Sequence, residues 1–67
     1  MKLYNLNLYQ NDNLIVYCFM QTEASNAKEA MKIFKKGISP KNYRGKELKE
    51  LKRNYAGLKM KAQERKW

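Results

Sequence analysis

The 67-residue sequence has no histidine and 15 lysines and arginines. Those two facts bound the chemistry open to it. Without imidazole there is no ordinary catalytic triad and no imidazole base. The remaining candidate nucleophiles are Cys18, Thr22, Ser25 and Ser39. Cys18 stands inside the apolar run Leu14–Met20, where a thiol behaves as a small buried hydrophobe. Asp12 belongs to a turn, and Glu47 and Glu50 lie among lysines on a helix surface, the ordinary setting of ion-pair partners. Gly37, Gly45 and Gly57 are scattered and form no phosphate-cradling loop. A single thiol with no histidine cannot build a zinc site. The expectation is a binding protein, not an enzyme, with no metal and no cofactor.

Charge is the feature left to carry function. The formal net charge is +9. Residues 1–27 hold Lys2 against Asp12 and Glu23, a net −1, whereas residues 28–67 hold 14 cations against Glu29, Glu47, Glu50 and Glu64, a net +10. Such a field favours anionic partners: nucleic acid, an acidic protein surface or anionic lipid. An AT-rich coding sequence would account for part of the lysine and asparagine excess. Any one lysine reads as ordinary solvated surface, so the inference rests on the set.

The candidate contacts are Lys32, Lys35 and Lys36 on a first helix, Lys41, Tyr43 and Arg44 in a connector, and Lys46, Lys49, Lys52, Arg53, Lys59 and Lys61 in the last segment. A phosphate backbone rewards such a cluster through counterion release. The planar forks of Arg44 and Arg53 suit phosphate or a base edge better than lysine does. Tyr43, Tyr55 and Trp67 are able to stack or wedge. The leading expectation is a small nucleic-acid-binding accessory protein, acting on DNA or RNA by occupancy or bending, of the kind phages and mobile elements carry. The alternative is a small non-enzymatic inhibitor or adaptor, of anti-defence type, that binds an acidic or nucleic-acid-handling protein. The lone thiol fits a reducing cytoplasm, and no secretory pattern is visible. The longest apolar run is too short to span a bilayer, and the lysine-rich helices lack the bulky apolar face of a membrane-surface helix.

The elements that must position these groups are set by periodicity. In Lys2–Gln10, Tyr4, Leu6 and Leu8 alternate with Asn5 and Asn7, a half-buried strand. Asn11-Asp12-Asn13 suits a tight turn, and Leu14–Thr22 is rich in β-branched and aromatic residues, completing a hairpin. Asn26 with Glu29 three residues on resembles a capping box. Ala27, Ala30, Met31 and Phe34 then give a helical apolar face that Gly37 ends. In the last segment Leu48, Leu51, Tyr55, Leu58 and Ala62 are spaced like a helical stripe. The fold expected is α+β, a hairpin followed by two helices (ββαα), in one domain over residues 1–67. Its parts are a hairpin at 2–22, a helix at 26–36, a connector at 37–45 and a basic helix at 46–65. The alternative is a helix ending at Gly57 and a short third strand at 58–62.

Strand 2 is apolar on both sides in either hairpin register. Helix 1 covers only one face, so the other must meet helix 2, a second subunit or a partner. Helix 2 is the first expectation, and a homodimer through an apolar sheet face is an alternative. The hairpin-then-helix order and the stretch Thr22–Ala30 resemble the sheet-plus-helix arm-binding domain at the start of some phage integrases. That resemblance spans about half of the chain and assigns no functional position.

Overall fold

The computed structural model describes residues 1–65; Lys66 and Trp67, the latter a candidate stacking group, lie outside the described residues. The elements run β1 (Lys2–Gln10), β2 (Asn13–Ala24), α1 (Ala27–Gly37), α2 (Tyr43–Asn54) and β3 (Leu58–Glu64). The fold is α+β, but the order is ββααβ, because the last strand comes after the helices. β3 pairs antiparallel with the edge of β1 that the hairpin leaves open, so the sheet order is β2-β1-β3.

The alternation in β1 sets the layers. Tyr4, Leu6 and Leu8 are buried on one side. Thr22, Met20 and Val16 of β2 stand opposite them, as do Glu64, Ala62 and Met60 of β3. Ala30 and Phe34 of α1 and Leu48 of α2 close the same core, together with Phe19 and Ala24. Leu6, Leu8 and Phe34 are the largest fully buried side chains, each worth about 1.5–3 kcal/mol of burial. Both helices therefore serve one face. The expectation that α2 covers the second face is overturned.

The hairpin turn is the two residues Asn11-Asp12, with Gln10 paired to Asn13 and Asn11 at φ 56°, a left-handed angle that Asn tolerates. Neither uniform register holds along the whole hairpin. Between the pairs Leu6–Met20 and Leu8–Val16, β1 places one residue, Asn7, against Tyr17, Cys18 and Phe19 of β2. Cys18 takes φ 54°. A bulge of this kind re-aims side chains: Phe19 joins the core, while the Cys18 thiol donates to Asn5 Oδ1 on the other face.

Asn26 caps α1 as its spacing predicts, its Oδ1 accepting the Glu29 amide at 2.9 Å. The continuous basic helix 46–65 does not form. α2 starts earlier, at Tyr43, because Asn42 caps it: Oδ1 accepts the Gly45 amide at 2.8 Å and Nδ2 donates to the Gly37 carbonyl at 2.8 Å. The connector thus shrinks to residues 38–42. Gly45 lies buried in the first turn of α2, where a Cβ would sit 1.6 Å from the Ser39 carbonyl oxygen. α2 ends at Asn54, and Gly57 turns the chain at φ 71°. The stripe from Leu48 to Ala62 fits a helix, and Leu58, Met60 and Ala62 alternating with Lys59 and Lys61 fit a strand equally well. The unpaired edge of β1 decides, because its backbone groups need partners and β3 supplies them from Gln10–Leu58 to Tyr4–Glu64. The third strand is also longer than the alternative 58–62.

Candidate nucleic-acid interface

Two basic surfaces result, on opposite sides of the sheet. The first is helical. Lys32, Lys35 and Lys36 on α1, Lys41 in the connector, and Tyr43, Arg44, Lys46, Lys49, Lys52 and Arg53 on α2 are all exposed. They point away from Ala30, Phe34 and Leu48, which anchor those helices in the core. Lys46, Lys49 and Arg53 recur every three or four residues and share one side of α2.

Among the described residues, Arg44 is the only one of these cations paired with a carboxylate, Glu47 at 3.2 Å. Its guanidinium carbon also lies 5.2 Å from the Phe19 ring centroid and 5.7 Å from that of Tyr43. Such contacts are worth about 0.5–1 kcal/mol each at an exposed side chain, so Arg44 pins α2 to the bulge of β2. The Tyr43 phenol is raised above its ordinary pKa, first by its hydrogen bond to the Glu47 carboxylate and then by that group's charge. It stays a neutral hydroxyl across the physiological range.

The second surface is the sheet face turned away from the helices. Lys59 and Lys61 belong here, opposite Tyr9 and Asn7, and so are separated from the rest of the predicted set. The anticipated apolar second face is polar along β1 and β3, while Leu14 and Tyr17 of β2 stay exposed beside it. Asn5 and Asn7 of the central strand are 2% and 5% exposed, although no helix covers them. Neighbouring side chains do. Asn5 Nδ2 donates to the Tyr17 hydroxyl at 3.2 Å, and Gln21 Nε2 donates to Asn5 Oδ1 at 3.1 Å. Asn7 Nδ2 donates to Gln63 Oε1 at 2.6 Å, and Asn7 Oδ1 accepts the Cys18 amide at 2.8 Å. The Tyr9 hydroxyl also donates to Gln63 Oε1, at 2.7 Å. Among the described residues every buried side-chain nitrogen and oxygen has a partner.

Sequence reasoning missed this network because it read Asn5 and Asn7 only as the polar half of an alternation. Their regular interleaving with leucine was the available signal. Their partner Gln63, far along the chain, was not identifiable without the pairing of β3.

Among the described residues no three His, Cys, Asp or Glu side chains converge as metal ligands, and no helix is long and apolar enough to cross a membrane. No family model, curated protein or solved structure matches the chain. The resemblance of its first half to integrase arm-binding domains accordingly carries no further weight.

Proposed function

We propose that the protein is a non-enzymatic nucleic-acid-binding accessory module acting in the cytoplasm. One observation carries the reading: among the described residues, the exposed cations of α1, the connector and α2 are, Arg44 apart, free of carboxylate partners. A surface whose charges are not neutralised from within keeps its full attraction for a phosphate backbone, and binding releases the condensed counterions. Lys46, Lys49 and Arg53 form the centre of the contact, flanked by Lys35, Lys36 and Lys41. These contacts position the partner and do not read sequence. No bond is made or broken; the effect is occupancy.

The test is fluorescence anisotropy with labelled duplex DNA, single-stranded DNA and RNA over a salt series. Three phosphate contacts give a slope of log K against log salt of about −2.7 on a duplex and about −2.1 on a single strand, and each further contact steepens it by about 0.9 or 0.7. Charge reversal at Lys49 and Arg53 should weaken binding to all sequences alike. No binding to any of the three at low salt would sink the proposal. The same free cations would then serve an acidic protein partner, as an inhibitor or adaptor would require.

A further inference from the structure

We infer that the open face of the sheet is a platform for single-stranded RNA, with Tyr17 as the stacking ring and Lys59 and Lys61 as phosphate contacts. This rests on the nucleic-acid reading but assigns the work to a different surface. Tyr17 stands in the bulge of β2, and its hydroxyl reaches across to Asn5 on the central strand. The side chain therefore lies over the sheet, held at its tip, and 61% of the residue is exposed. A ring held at its hydroxyl before binding gives a base a stacking partner with little ordering cost. Tyr9 is held in the same manner across to β3, but the Lys61 ammonium sits 4.8 Å from its ring centroid. Among the described residues no cation sits over the Tyr17 ring in this way.

Charge and hydrogen-bonding capacity match the same occupant. Lys59 and Lys61 line the strand on the far side of the central one, about 10 Å from β2 at the usual strand spacing. The carboxylate in step with this face, Glu23, pairs opposite Leu3, at the other end of the sheet from Lys59. Gln63 spends its oxygen on Asn7 and Tyr9, and among the described residues its amide hydrogens have no partner. Gln21 spends a hydrogen on Asn5, and among the described residues its oxygen has no partner. The amide hydrogens of Gln63 on β3 and the oxygen of Gln21 on β2 each offer a separate bond to a ribose 2′-hydroxyl, a group able to accept or donate. Duplex DNA fits less well: its bases show only their edges in the grooves, and the major groove admits a helix or a two-stranded ribbon, whereas this face is three strands wide.

The experiment compares the full chain and its variants by anisotropy on a uridine-rich RNA of about ten nucleotides, its DNA counterpart and a duplex DNA. Tyr17→Ala should weaken RNA binding roughly five- to 150-fold, the range of one lost base stack, and leave duplex binding unchanged. Tyr17→Phe should retain most of the RNA affinity, because the ring remains. Lys61→Gln should make the RNA salt slope shallower by about 0.7. Should Tyr17→Ala not fold by circular dichroism, Tyr17→Leu against Tyr17→Phe decides the same point, since leucine fills the space without a π-face. RNA affinity unchanged in Tyr17→Ala, but lowered by Lys49→Glu, overturns the platform and leaves the helical surface standing. Equal affinity for the DNA counterpart overturns the assignment to RNA. No binding of any nucleic acid by the unaltered protein fails the underlying reading, and this inference with it.

Discussion

Asn7 holds the bulge and the open face together, and its replacement by alanine measures how much that matters. Two bonds are lost. Asn7 Oδ1 accepts the Cys18 amide at 2.8 Å, a backbone N–H that the bulge has turned onto a side chain. Asn7 Nδ2 donates to Gln63 Oε1 at 2.6 Å. An orphaned buried N–H costs about 1–3 kcal/mol, and the net worth of an ordinary hydrogen bond is about 0.5–1.5 kcal/mol. The sum, about 1.5–4.5 kcal/mol, is large beside the 3–5 kcal/mol or so that a core in a domain this small supplies. Gln63 keeps Tyr9 as a donor, so the Cys18 amide dominates the loss. Asn7→Asp retains an acceptor for that amide, but it places a carboxylate where the residue is 5% exposed and turns an oxygen onto Gln63 Oε1, so it should lose stability as well while keeping the Cys18 amide bonded. Urea unfolding gives the free energies, with the midpoint falling clearly for alanine. Amide exchange of Cys18 should quicken in the alanine variant alone. An alanine variant as stable as the parent, or a Cys18 amide that exchanges no faster with alanine than with aspartate at position 7, would refute the role given to that one acceptor.

Three further outcomes are specific. Gly45→Ala, which would gain about 1 kcal/mol in an open helix, should instead destabilise by about 1–3 kcal/mol from overpacking, because the new Cβ meets the Ser39 carbonyl oxygen; a raised melting temperature would contradict this. Gly57→Ala meets open space but must hold φ 71°, and should cost about 1–2 kcal/mol, with Gly57→Asn milder in the same thermal melt. Arg44→Ala should lower stability by roughly 0.5–2 kcal/mol and leave the nucleic-acid salt slope unchanged, since Glu47 and two rings already occupy the guanidinium. A slope made shallower by a full contact would return Arg44 to the interface.

The features legible in the sequence are local ones. The alternation of Lys2–Gln10 dictates a strand, Asn11-Asp12-Asn13 a turn (its last residue already in β2), and Asn26 with the Ala30 and Phe34 spacing a capped helix, because each signal is complete within a few neighbouring residues. The steep rise of charge after residue 27 is equally plain in composition. Features that depend on distant partners emerge only once the chain is packed. Residues 58–64 satisfy helical and strand periodicities alike, and they become a strand because the vacant edge of β1 lies against them, pairing Leu6 with Ala62. That pairing puts Gln63 over Asn7 and carries Lys59 and Lys61 to the face opposite the other cations. The bulge sends Phe19 inward and lays Tyr17 across Asn5, an arrangement no uniform register contains. Arg44, exposed by its type and place in the chain, is held by a ring from β2 that only the packing of α2 brings within reach.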